Sequence, residues 1–404
     1  MNSYYTDLHI HIGRTSDDKP VKITASRDLT FGNICRECVE RKGIQVAGII
    51  DCASPGVLAD IDGLVADGEM RPLTGGGLLY RELLVVILGS ELETQETAGR
   101  LSHHIGYFPD LESIRAFSAT MSRLVKNLQL SSQQCHLPAD QFVRLTAERG
   151  GFAIPAHAFT PHKSLYGSCA ASISGLFSDA ALEHIPAIEL GLSADSSLAD
   201  RIPELAGYSF LSNSDAHSLP RIGREYNVVR MREASFAGLR DALYRLGGAS
   251  VVANFGLDPR LGKYHRTFCE ACLSIVTAPP PTFVCPSCGS DHVTPGVLDR
   301  IVTIAGHERP APPDHRPPYT HQVPLQFVPG LGSVKLNALL NRFGTEMAVL
   351  HDAEESELQQ VVGIDVARRI MQARDGTLPL QAGGGGQFGK ALTKGSADQL
   401  SLGI

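Results

Sequence analysis

The chain has 404 residues, enough for two or three domains, and its 43% hydrophobic and 20% charged composition excludes a wholly disordered protein. No apolar run reaches the roughly 18 residues of a membrane span, and Met1–Ile10 lacks the basic flank and apolar core of a secretion signal, so a cytoplasmic protein is expected. A net charge of −7 excludes a uniformly basic nucleic-acid coat, and nine cysteines, an odd number, argue against a disulfide framework.

The first chemical signal is Asp7-Leu-His9-Ile-His11. On a strand, Asp7, His9 and His11 share one face, and two imidazoles spaced by two residues can reach one ion. Apolar runs then predict strands at Gln45–Asp51, Leu83–Gly89, Phe152–Ala156, Ala187–Leu190 and Tyr208–Leu211. Helices are expected at Leu111–Leu128, Ala139–Arg149 and Phe236–Leu246. This repetition predicts a parallel α/β architecture over residues 1–254, closer to a barrel than to a flat sheet. Histidine or carboxylate follows strand after strand: Asp51, Glu91, His103 with His104, His157, Asp215 and His217. Catalytic groups gather at such strand ends in barrels. Imidazole and carboxylate together suit zinc, manganese or iron. A bridging carboxylate such as Glu91 would hold two ions at the spacing that activates water and clamps a phosphoryl group.

The texture changes at residue 255. Cys269-Glu-Ala-Cys272 and Cys285-Pro-Ser-Cys288 are two knuckles suited to one structural zinc ion, since a closed Cys₄ site leaves no position for chemistry. Cys35 and Cys38 share the spacing but lie in a helix-like stretch without a partner pair. Residues 307–322, rich in Pro and His, predict an extended linker. In residues 323–378, Val328-Pro-Gly-Leu-Gly-Ser-Val-Lys335 opens a helical segment and resembles a helix-hairpin-helix motif. Gly330, Gly332 and Lys335 are its candidate phosphate contacts. Val362-Gly-Ile-Asp-Val-Ala367 reads as a degenerate second hairpin. Residues 379–404 carry a four-glycine run and are expected to form a flexible tail. Its end, Gln399–Ile404, resembles the peptide that binds the bacterial sliding clamp.

The strand-end residues resemble the PHP family (polymerase and histidinol phosphatase), whose fold is a distorted β/α barrel. On that resemblance His9, His11, Asp51, Glu91, His104, His157, Asp215 and His217 hold two or three divalent ions (zinc, manganese or magnesium), with Asp215, His217 and Glu91 closest to the chemistry. The family often has a further ligand soon after the opening motif, a place only Asp17 or Asp18 could fill here. Adding the Cys₄ and hairpin modules, the chain resembles the endonuclease Q family along DLHIH (7–11), IPAHAFTPHKSLYGS (154–168), ELGLSADSSLADRI (189–202), LSNSDAHS (211–218) and LGKYH (261–265). The resemblance implies a repair nuclease that cuts DNA on the 5′ side of uracil, hypoxanthine, xanthine or an abasic site. The loop after His157, with Lys163, Ser164, Tyr166, Gly167 and Ser168, is then the candidate for DNA contacts. A phosphatase of small esters and a non-catalytic scaffold for DNA or the clamp are the alternatives.

Overall fold

A computed structural model describes residues 1–96 and 99–393. In chain order the first strands are β1 (Asn2–Ile10), β2 (Val46–Ile49), β3 (Met70–Pro72), β4 (Leu78–Tyr80), β5 (Leu84–Gln95), β6 (Leu101–Phe108) and β7 (Phe152–Pro155). They are followed by β8 (Ala187–Glu189), β9 (Ser209–Leu211), β10 (Tyr226–Met231) and β11 (Ser250–Gly256). All but β8 and β9 belong to one ten-stranded sheet, whose tenth member comes from later in the chain. The pair β8–β9 fills the gap between β7 and β11: the Ala158 N–H donates to the Glu189 carbonyl, and the Asn254 side chain donates to the Phe210 carbonyl. The result is an α/β fold, a distorted barrel.

The sheet is mixed rather than parallel. β1, β2 and β5 run parallel, whereas β5–β6–β7 and β1–β10–β11 are antiparallel. The reason is connection length: the β5–β6 link is a short turn closed by the Glu96 N–H and the Arg100 carbonyl. A parallel return needs a crossover of a dozen residues or more. Helices Pro55–Ala66, Leu111–Met121 and Ala139–Ala147 cover one side through Val57, Ile61, Phe117 and Phe142. Each buried side chain of this kind contributes about 1.5–3 kcal/mol. The Asp110 carboxylate accepts from the Ser113 N–H and sets the start of its helix. That helix ends at Met121, not Leu128. Val125 and Leu128 are still buried, so the apolar rhythm outlasts the helical backbone.

The Cys-rich segment builds β12 (Phe268–Cys269), β13 (Ser274–Ile275) and β14 (Val293–Thr294), a separate three-stranded sheet. The expected linker is not loose. Its end forms β15 (Tyr319–His321), which pairs in parallel with β11 as the sheet's tenth strand. Upstream, buried Arg316 bonds Asp200 and the carbonyls of Leu205 and Tyr208. Pro317 and Pro318 lead into this edge strand, and the Pro318 carbonyl accepts the Asn254 N–H (3.1 Å).

Residues 323–378 form helices Ser333–Phe343, Glu346–His351, Glu355–Val362 and Ile364–Arg374. Two sharp turns face one another, at Gly330 (φ +83°) and Gly363 (φ +84°), conformations that glycine tolerates. The Lys42–Glu346 ion pair, 2.8 Å and buried, fixes this module to the barrel, and Tyr5 stacks on His351 beside it. The glycine run after residue 379 is also ordered by contacts. β16 (Leu380–Gln381) and β17 (Lys390–Ala391) pair, and the loop between them lies against residues 260–263. The clamp-like peptide Gln399–Ile404 lies outside the described residues.

Candidate metal centre

His9 lies near the end of β1 and His11 directly follows it, both buried, and the loop after β9 brings Asp215 and His217 over them. Asp7 makes that approach possible. Its carboxylate accepts the Ser214 N–H (3.1 Å) and the Gly223 N–H (2.9 Å), so it holds the loop and is no ligand. Arg224 reinforces the loop by donating to the Ser214 and Asp215 carbonyls. Asp215 and His157 sit at positive φ (+44° and +32°), backbone strain of the kind that clusters at functional sites.

Two ligand sets result. His9, His11 and Asp215 converge within 4.8 Å, as do Glu91, His103 and His157. Glu91 joins them: its oxygens stand 3.7 Å from His9 Nε2 and 3.6 Å from His11 Nε2. His9 Nε2 and His217 Nε2 are buried without a hydrogen-bond partner among the described residues, facing Asp215 Oδ1 at 3.5 and 3.3 Å. Two ligands each about 2.1 Å from one ion stand about 3–3.5 Å apart, so this spacing fits cations. The electrostatics agree. Burial alone would lower the His9 pKa, but Glu189, Asp215 and Glu91 push it up to about 10. Burial would raise the carboxyls of Glu91 and Asp215. His103 and Lys22 around the first, and His11 and His217 around the second, hold them well below the carboxylate range. The carboxylates are ionised, and their field favours positive charge at the imidazoles.

The outer nitrogens are fixed by carboxylates. His9 Nδ1 lies 3.0 and 3.1 Å from the two Glu189 oxygens, and His11 Nδ1 lies 3.1 Å from Asp51 Oδ2. A carboxylate on the outer nitrogen sets the tautomer that turns the inner lone pair toward an ion. Asp51 therefore stands behind a ligand and belongs to neither set. Glu189 was not among the expected residues. It also accepts the His157 N–H (2.7 Å) and the Asn213 amide (3.0 Å).

His104 is corrected to His103. Side chains alternate along a strand, so neighbours point to opposite sides. His104 packs on Phe142 and Phe177 and bonds Ser102 Oγ at 2.7 Å, and burial lowers its pKa to about 3. Asp17 and Asp18 supply no third set. They are exposed and paired with Lys19, Arg14 and Arg27. Lys22 stands 3.7 Å from Glu91 instead, and Ser132 donates to the same carboxylate.

The loop after His157 is only partly available. Tyr166 is buried, stacked on Phe159 and bonded to Glu204. Ser164, Gly167 and Ser168 hold the turn together, with Ser164 donating to the Thr160 carbonyl and accepting the Gly167 N–H. Lys163 remains half exposed, its ammonium 2.6 Å from Glu93. Beside the ligands lies a cavity of about 250 Å³, lined by Thr160, His162, Asn213, Arg221, Lys263, Tyr264 and Phe388 among others.

Elsewhere, the Sγ atoms of Cys269 and Cys288 lie 3.6 Å apart, and those of Cys272 and Cys285 3.7 Å. A tetrahedral zinc site with 2.3 Å bonds has edges of about 3.8 Å. Gly330 and Gly332 are exposed at the first hairpin, whereas the Lys335 ammonium donates to the Val362 carbonyl.

No family model matches the chain. It is 44% identical to the uncharacterized protein YqxK of Bacillus subtilis, over 96% of this chain and 99% of that one. The lesion-specific endonuclease PfuEndoQ of Pyrococcus furiosus superposes with a TM-score of 0.81 and 31% identity, covering 96% of this chain and 95% of that one. An endonuclease Q solved with a 27-mer duplex substrate carrying an abasic lesion at its active site gives the same score and identity over 99% and 100%. The chain belongs to the endonuclease Q family. It is a metal-dependent endonuclease, and the two clusters described above are groups that could hold its ions.

Proposed function

We propose that the chain nicks DNA on the 5′ side of a deaminated base (uracil, hypoxanthine or xanthine) or an abasic site. The observation that carries this is the double ligand set joined by Glu91, opening directly onto a cavity with basic and aromatic walls. The full-length likeness to an endonuclease Q holding an abasic duplex supports it.

His9, His11, Glu91 and Asp215 would hold one divalent ion, and Glu91, His103 and His157 a second, with His217 beside them. Such a pair supplies an activated water and neutralises the scissile phosphate's charge. The chain's own residues do the rest. Glu189 and Asp51 keep His9 and His11 in the ligating tautomer. Arg221, Lys263 and Lys163 surround the approach with positive charge for the flanking phosphates. A stacked base hides its altered edge, so the damaged nucleotide is turned out into the cavity. A damage-dependent cut also needs a grip that ignores sequence. The exposed backbone at Gly330–Gly332 and at Gly363 serves as a tandem helix-hairpin-helix contact to phosphates. The Cys₄ cluster holds a structural zinc ion. The tail peptide Gln399–Ile404 would tether the enzyme to the sliding clamp, which co-purification with and without that peptide tests.

The deciding experiment is a nicking assay with manganese or magnesium on duplexes carrying uracil, hypoxanthine, an abasic site or no lesion. Cutting 5′ of lesions only, abolished in Asp215→Asn, is expected. Phosphate release from small esters without any nicking would refute the reading.

A further inference from the structure

The glycine run after residue 379 places one aromatic side chain in the cavity beside the metal ligands. Gly383 N–H donates to the Arg260 carbonyl (2.8 Å), and Gly389 N–H donates to the Leu261 carbonyl (2.9 Å). A Cβ at Gly383 would stand 2.5 Å from the Gly389 nitrogen, and one at Gly389 2.4 Å from the Gln381 carbonyl oxygen. Gly384 and Gly385 pack equally closely on Ile275 and Phe268 of the Cys-rich module. The glycines therefore act by close approach, and they carry Phe388 across from the C-terminal end of the chain to the barrel mouth. There its half-buried ring lines the cavity.

Two cations hold that ring. Lys263 Nζ lies 4.7 Å and the Arg224 guanidinium 5.3 Å from its centroid. Arg224 is itself bonded to the Ser214 and Asp215 carbonyls, so the ring is tied through one side chain to the loop that carries a metal ligand. The cavity's other large ring, Tyr264, is already engaged edge-on by His162 at 5.6 Å. Phe388 has no aromatic partner among the described residues. A flat apolar ring, held by two cations and lacking an aromatic partner among the described residues, borders the space next to the candidate metal ligands.

On the reading that this chain is a lesion nuclease, we infer that Phe388 is a specificity-determining residue, the surface on which an extruded base stacks. An abasic site offers no base, so the ring discriminates between the two kinds of substrate. The test compares kcat/KM on uracil, hypoxanthine and abasic duplexes for the wild type, Phe388→Ala and Phe388→Tyr, with the melting temperature of each. In Phe388→Ala the ratio of base-lesion to abasic cutting should fall about 5- to 150-fold, the range in which alanine costs base–aromatic stacking. Phe388→Tyr should restore it. A ratio that stays constant, whether both rates fall together or neither does, overturns the inference and leaves the ring a packing element. A wild type that cuts abasic DNA alone overturns it too, while the nuclease reading stands. A wild type that cuts no duplex removes that reading and this inference together.

Discussion

The sharpest test of the site concerns Glu189, a residue that touches no proposed ion. Its carboxylate accepts from His9 Nδ1, from the His157 N–H and from the Asn213 amide, all in a fully buried position. Three donors from three elements meet there. Glu189→Gln keeps the shape but replaces one acceptor oxygen by an NH₂ group. Oε1 serves Asn213 and His9, and Oε2 serves His157 and His9, so either amide orientation sets a donor against a donor. A buried unpaired donor costs about 1–3 kcal/mol, which is about 5- to 150-fold in an equilibrium. Loss of a partner behind a metal-bound histidine costs about 10- to 100-fold in metal affinity or activity. The two estimates overlap. Glu189→Gln should therefore raise the manganese concentration for half-maximal nicking about 10- to 100-fold, with most of the rate recovered at saturating metal. Titration calorimetry with manganese should show the same shift in affinity. A rate loss that excess metal does not recover would place Glu189 in the chemistry itself. An unchanged metal requirement would refute the tautomer argument.

Four further outcomes follow from the same contacts. His103→Ala should abolish nicking with little change in melting temperature, whereas His104→Ala should cost about 1–3 kcal/mol of stability and spare the specific activity of the folded fraction, measured by active-site titration. Burial raises the Glu225 pKa to about 8, so the folded protein holds a proton that the unfolded chain loses near 4.5. Stability from this group therefore falls as pH rises from about 4.5 to 8, and Glu225→Gln should gain melting temperature relative to wild type above pH 8 and lose that advantage below pH 4.5. Cys272→Ser or a strong chelator should release one zinc per chain, read by a colorimetric zinc dye, and lower the melting temperature. Because the Lys335 ammonium is bonded to a carbonyl, Lys335→Ala should leave the slope of log binding constant against log salt unchanged. A drop of about one unit would show a phosphate contact instead.

Much of the candidate centre was legible from two signals. His9 and His11 come from the alternation of one strand, Glu91, His157 and Asp215 from the ends of apolar runs, and the structure gathers all five. What parity decides was missed. Glu91 pairs with Ile105 and Glu93 with His103 across the β5–β6 hairpin, so His103 shares the Glu91 face and His104 does not. That register depends on the length of the turn at 96–100, and a one-residue change would have exchanged the two histidines. The loop at 160–168 is ambiguous for a different reason. Small and hydroxylated residues suit both a phosphate contact and a tight turn, and here Ser164 and Ser168 are consumed by the turn.

Glu189 left a readable trace. It is a lone carboxylate inside the apolar run Ala187–Leu190, and a charge in a buried strand must be paired. The partner lies 180 residues away, so only the closed barrel reveals that it is His9. The same holds for Phe388. Its surroundings of glycine suggest a loose tail, but glycine also permits backbone to lie on backbone, and only the acceptors at Arg260 and Leu261 separate the two meanings. The segments that composition marks as a linker (307–322) and a tail (379–404) supply in this protein an edge strand and, within residues 379–393, a cavity wall. Their contacts bind the Cys-rich and helical modules to the barrel mouth, so those modules and the candidate metal ligands are held in one geometry rather than joined by a flexible tether.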